Sequence, residues 1–192
     1  MPGGCQPLGL QRSGEVGCFI IASQPLGRVS LSPLYWHIDA FATPHAARLA
    51  MSSSSTVVEA FDRVWLMTIA APDWRARDGA RIARIGPLPR GSAQDYTATY
   101  METTFAPGMQ SRVHWHPGPE AWWVLEGAQC LETPEGRMEA KAGEGMLVHG
   151  DLPMVLHGVG AQRRRSLVLV LHDSAEAPVQ PERQWLPKGL CG

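Results

Sequence analysis

Between Gly108 and Gly127 the chain reads GMQSRVHWHPGPEAWWVLEG, and most of its candidate chemistry is gathered there. His114 and His116 stand one residue apart, and Glu120 follows four residues after the second. The residues before the histidines read as a strand, where alternate side chains share a face. His114 and His116 therefore point the same way and Trp115 the other. Pro117, Gly118 and Pro119 cannot extend a sheet ladder and mark a turn. Glu120 then opens a second apolar strand. Two imidazoles on one strand and a carboxylate at the head of the next can converge on a point. That 2-His-1-carboxylate set suits one divalent ion: iron, manganese, nickel or zinc. Arg112, two before His114, shares the ligand face and is a candidate to hold an anionic substrate or to pair with Glu120. Trp122, two after Glu120, also points inward, as packing or as the wall of a ligand cavity.

The pattern G-x5-H-x-H-x3-E-x6-G, met at Gly108, His114, His116, Glu120 and Gly127, resembles the first motif of the cupin superfamily with every spacing intact. The resemblance runs from Thr99 to His172. It implies an all-β fold, a cupin-type jelly-roll β-barrel, with a divalent metal at this site. The family's second motif, roughly G-D-x4-P-x-G-x2-H, aligns with Gly143 to Met154, GEGMLVHGDLPM. His149 stands where the family has proline, Asp151 where it has glycine, and Met154 where it has a fourth ligand, histidine. A thioether is a poor ligand for such ions, so Met154 is expected to pack in the barrel and is a candidate for contact with substrate. His157 could replace the missing ligand if a bulge re-aimed it, since a regular strand points it away from Met154. His149, at the barrel mouth, is the other candidate.

Short, turn-bounded strands must position this site. Strands are expected at Cys18–Ser23, Leu34–Phe41, Arg81–Ile85 and Tyr96–Phe105, with two more inside Thr56–Ile69 around a turn near Asp62 and Arg63. Tyr100 and Glu102 are candidates for the cavity face. One short helix is expected over Thr43–Met51, capped by Thr43 with Pro44 in its first position. After Gly127 a meander of short strands suits a closed or nearly closed β-architecture, with Gln162–Arg165 a solvated basic loop. Residues 1–17 read as an unordered N-terminus, 18–95 as an extension packing on the barrel or covering its edge, 96–173 as the cupin core and 174–192 as a tail.

A formal net charge of −1 gives no footprint for nucleic acid or an anionic membrane, and no apolar run approaches the length of a bilayer span. The four cysteines, Cys5, Cys18, Cys130 and Cys191, form no C-x-x-C and no zinc pattern. Reduced thiols, no signal peptide and a cytoplasmic location are the expectation. Three functions stay open. The preferred one is a mononuclear metal-dependent oxidoreductase of dioxygenase type acting on a small organic substrate. The others are a non-redox isomerase or lyase, and a binding or sensor module without catalysis. A homodimer formed through the apolar N-terminal strands is a further expectation from the resemblance.

Overall fold

The structure, a computed structural model, describes residues 5–7, 14–29, 33–182 and 184–192. Three sheets lie in layers. The central one is five-stranded in the order β1-β6-β13-β8-β11. These strands are β1 (Gly17–Gly27), β6 (Tyr96–Phe105), β13 (Arg164–Asp173), β8 (Glu120–Glu126) and β11 (Gly145–Val148). A three-stranded sheet faces one side of it, in the order β10 (Gly136–Lys141), β9 (Ala128–Thr133), β12 (Val155–Val159). Together these two form an antiparallel jelly roll of two facing sheets, and the strand pairings do not run round a closed ring.

The pattern of β13 explains the third layer. Leu167, Leu169 and Leu171 pack on one side of the central sheet, Val168 and Val170 on the other, and all are buried. A strand covered on both faces loses the apolar–polar alternation of a half-solvated one. The second cover is a four-stranded sheet in the order β3-β4-β2-β5. It is built from β2 (Tyr35–Phe41), β3 (Ser55–Ala60), β4 (Arg63–Ala70) and β5 (Ala80–Ile85). Trp36, Trp65 and Met67 pack from it against Tyr100 and the β13 leucines. The extension thus covers a face of the central sheet, while β1 pairs with β6 along its edge. The helix, α1 (Pro44–Leu49), begins as expected: Ala46 N–H donates to Thr43 Oγ1 at 3.2 Å.

Three expectations are corrected. All four cysteines are paired, Cys5 with Cys18 and Cys130 with Cys191. Disulfides persist in oxidising compartments, so the reduced-thiol argument for a cytoplasmic location falls. No helix among the described residues is long and apolar enough to cross a membrane. The unordered N-terminus lies partly outside the described residues, at 1–4 and 8–13. Where described, Gln6 exchanges backbone hydrogen bonds with Cys18 and Ile20. The basic run is not simply solvated. β13 begins at Arg164, which is fully buried. Its guanidinium donates to Gln129 Oε1 and Thr103 Oγ1 and lies 4.7 Å from the Phe105 ring centroid. Burial pulls its pKa down to about 9, with Glu120 opposing.

On the outer face of the four-stranded sheet His37 is fully buried. Its Nε2–H donates to Ala71 O at 2.9 Å, and Nδ1 accepts from Arg81 Nη1 at 2.9 Å. Arg81 also donates to Asp39 Oδ1 at 2.8 Å. The neutral ring is satisfied at both nitrogens, so a second proton would have to face the guanidinium. Burial, then Arg81, hold the His37 pKa below its ordinary value of 6.5, against the Ala71 bond and Asp39. The unfolded chain therefore takes up the proton first, and stability due to His37 is lost as pH falls below about 6.5 toward the folded value. His114, His157 and His172 shift in the same direction and His116 in the opposite one. Melting curves between pH 7 and pH 5 should fall less steeply in His37→Gln than in the parent. Parallel slopes would remove His37 from that dependence.

Candidate metal centre and cavity

The two histidines lie on and beside a two-residue strand, β7 (His114–Trp115). It is held from both sides. His114 and Met154 exchange backbone hydrogen bonds of 3.1 and 2.8 Å, and on the other side β7 pairs with β14 (Gln180–Pro181). Asp151 N–H donates to His116 O at 2.8 Å and fixes the exit of the segment. The turn through Gly118 then places Glu120 at the head of β8, opposite Val148 and Val170.

The result is a cluster in which one ligand atom each from His114, His116 and Glu120 lies within 4.8 Å of the others. The rings of the two histidines meet edge to face, 4.9 Å between centroids. Backbone carbonyls fix both tautomers. His114 Nδ1–H donates to Arg112 O at 2.8 Å and His116 Nδ1–H to Pro178 O at 2.5 Å. Each ring is thereby left with Nε2 as its lone-pair donor, the outer-shell arrangement that orients ligating histidines. His116 Nε2 and Glu120 Oε2 are buried 2.9 Å apart, within ion-pair reach, yet neither is engaged in a hydrogen bond of acceptable geometry. Orphaned buried polar atoms are rare and costly, and two aimed at one point fit a divalent cation between them.

Electrostatics separate the two rings. Burial, then the neighbouring His116, hold the His114 pKa down against the pull of Glu120. For His116 burial acts downward as well, but the charge and hydrogen-bonding capacity of Glu120 and the Pro178 carbonyl outweigh it and the pKa rises. A cation would replace the proton that Glu120 otherwise favours on His116.

The cluster lies in the wall of a cavity of about 100 Å³. Most of the rest is apolar: Met101, Phe105, Trp122, Leu156, Val168 and Val179, with the Cys5–Cys18 bridge. Arg112 is exposed and lies at this cavity. Among the described ion pairs it makes none with Glu120. Trp122 is 1% exposed, and its buried Nε1–H has no hydrogen-bond partner.

Other sequence candidates fall elsewhere. Met154 is fully buried in the apolar cluster between the jelly-roll sheets and does not line the cavity. His157 is not a fourth ligand. It pairs with Cys130 in the β12–β9 register, on the face opposite cavity-lining Leu156, so no bulge re-aims it inward. His149 is exposed and outside the cluster. Tyr100 belongs to the layer under the four-stranded sheet, and the odd-numbered Met101, Thr103 and Phe105 line the cavity instead of Tyr100 and Glu102. Sequence reasoning missed Pro178 and Val179, which lie in the stretch read as a tail. A backbone carbonyl partner leaves no signal in side-chain identities. The Cys5–Cys18 wall had one, the even cysteine count.

In fold and in its first motif the chain is similar to the cupin superfamily. No family model matches the sequence, and no curated protein matches it. Among solved structures, a cupin superfamily protein from Desulfitobacterium hafniense DCB-2 is similar at 16% identity and a TM-score of 0.37, over 45% of this chain and 73% of that one. A protein with a double-stranded beta-helix domain from Klebsiella pneumoniae subsp. pneumoniae MGH 78578 is similar at 16% identity and a TM-score of 0.39, over 45% and 71%. An oxalate oxidase is similar at 18% identity and a TM-score of 0.38, over 44% of this chain and 45% of its own. The chain thus spans less than half the length of that oxidase.

Proposed function

We propose that the protein is a mononuclear metal-dependent enzyme in which His114, His116 and Glu120 hold one divalent ion, and that it oxidises a small, largely apolar organic molecule in a dioxygenase-like reaction. The observation that carries the metal is the orphaned pair His116 Nε2 and Glu120 Oε2, backed by carbonyls that commit both imidazoles to presenting Nε2. The ion would supply Lewis-acid and one-electron chemistry and, with three protein ligands, would keep positions free for exogenous ligands.

The chain's own residues do the rest. Met101, Phe105 and Leu156 exclude water and favour an apolar body. The unpartnered Trp122 Nε1–H is a donor for an oxygen of the bound molecule, and Arg112 attracts a negative charge to the same cavity. Among the described lining residues, the titratable side chains are Arg112 and the three ligand candidates. An isomerase or lyase that moved a proton through a protein base would have to use Glu120, the one carboxylate here and itself a ligand candidate. That shortage favours oxidation over proton shuffling.

The test loads metal-free protein with iron(II) or zinc(II). Oxygen consumption is followed with small aromatic and aliphatic compounds, each bearing one carbonyl or carboxylate. Uptake with iron and none with zinc is the expected result. Equal substrate loss with both metals and no oxygen uptake would replace oxidation by a non-redox reaction. Binding without turnover would leave a sensor module.

A further inference from the structure

A second constellation lies on the far side of the small sheet. Opposite residues of an antiparallel pair share a face, and the β9–β12 register sets His157 against Cys130 and Val155 against Glu132. Cys130, Glu132 and His157 therefore lie together on the face turned away from the cavity. The C-terminal stretch crosses this face. Cys191 is bonded to Cys130, and Glu132 accepts backbone hydrogen bonds from Lys188 and, at 2.8 Å, from Leu190. One ligand atom each from Glu132, His157 and Cys191 lies within 4.8 Å of the others. Cys130 and Glu132 are buried, and His157 Nε2 is buried without a hydrogen-bond partner.

We propose that, once the Cys130–Cys191 bridge is reduced, these four residues form a second metal site that takes zinc in a tetrahedral set of two thiolates, the His157 imidazole and the Glu132 carboxylate. Thiolate, imidazole and carboxylate are all zinc ligands, and the soft thiolates exclude calcium and magnesium. The opening step is thiol–disulfide exchange. A dithiol delivers two electrons and two protons to the bridge and leaves as its own disulfide, and Cys130 and Cys191 become thiols. Zinc then displaces both thiol protons. The sulfurs must separate to about 3.8 Å, the edge of a tetrahedron with Zn–S bonds of about 2.3 Å. A carboxylate has about four lone-pair sites, so Glu132 can ligate and still hold the backbone of Lys188 and Leu190. The site clasps the C-terminal stretch to the sheet by metal where the oxidised protein clasps it by a covalent bond. This stretch begins at the first centre, where Pro178 orients His116.

The test uses the full chain, stripped of metal, in oxidised form and after reduction by a phosphine that is removed under argon. Each is titrated with cobalt(II) as a zinc surrogate. Reduction also frees Cys5 and Cys18 in the wall of the first cavity, so the titrations use a Cys5→Ser/Cys18→Ser background. In it the first centre has no sulfur ligand, and a near-ultraviolet sulfur-to-cobalt charge-transfer band reports on the second alone. The expected result is one additional cobalt per chain in the reduced protein, with the band and tetrahedral ligand-field absorption. The band should be absent in the oxidised protein, kept in His116→Ala, lost in Cys191→Ser and weakened in affinity by at least about 100-fold in His157→Ala. Circular dichroism of each variant controls for folding. A reduced protein that gains no band overturns the site. An unchanged affinity in both His157→Ala and Glu132→Gln overturns the four-ligand set, because two thiolates alone would then account for binding.

Discussion

His116→Ala should empty the cavity site of its divalent ion, with the dissociation constant raised by more than about 100-fold. Loss of an outer-shell partner alone typically costs about 10–100-fold, and this substitution removes a ligand. It also leaves the remaining donors unequal to the task. His114 is oriented by Arg112 O and stays in place, but Glu120 loses the buried atom 2.9 Å from its Oε2. Glu120, 6% exposed, is then buried with neither ion nor the His116 imidazole beside it, and one imidazole with one carboxylate makes too few ligands to hold the ion. Plasma mass spectrometry of dialysed, oxidised protein measures the effect. Two companions sharpen it. Met154→Leu should keep about the parental metal content, because Met154 packs in the apolar cluster and contributes no ligand. His157→Ala should do the same, because it lies on the opposite face of the small sheet. Metal retained near one per chain in His116→Ala, or lost equally in His157→Ala, would show that the ion sits elsewhere.

The cavity site was largely legible in the sequence because its three ligand candidates are local. One strand parity and one forced turn bring His114, His116 and Glu120 together, and no long-range contact has to be guessed. Where position depended on a distant partner, legibility failed. Alternation along Tyr96–Phe105 separates two faces correctly but cannot say which meets the cavity, since the four-stranded sheet makes both faces buried. Arg164 reads as part of a basic loop, yet buried Gln129 and Thr103 from two other strands surround it. The C-terminal stretch reads as a tail, and it supplies Pro178 to one centre and Cys191 to the other face. Cysteine pairing across 13 and 61 residues is likewise a property of the fold.

The largest stability effect is expected at a position the motif leaves unspecified. Gly118, between the second histidine and the glutamate, packs against the backbone of β13. A Cβ there would sit 2.0 Å from Leu171 O, and on its other side a Cβ on Gly150 would meet Gly118 Cα at 2.5 Å. Neither neighbour is a side chain that can swing away. Gly118→Ala must therefore push the turn off the sheet. That strains or breaks the hydrogen bond from Leu171 N–H to Pro119 O, 3.1 Å long. Overpacking of about 1–3 kcal/mol and a lost buried hydrogen bond of about 1 kcal/mol put the cost near 2–4 kcal/mol. For a chain of this size that is a fall in melting temperature of about 10 °C. Gly108, which the motif does specify, makes the contrast. Its φ of +72° disfavours a side chain, but no atom lies within 4 Å of a Cβ built on it. Gly108→Ala should cost about 1 kcal/mol from backbone strain alone. The two also differ in metal binding. Gly118→Ala moves His116 and Glu120 apart and should weaken affinity in whatever fraction folds, whereas Gly108→Ala leaves the ligand cluster in place. Equal melting temperatures for the two variants would show that the β13 backbone yields to a methyl group, and the turn would then not be what fixes Glu120 against the histidines.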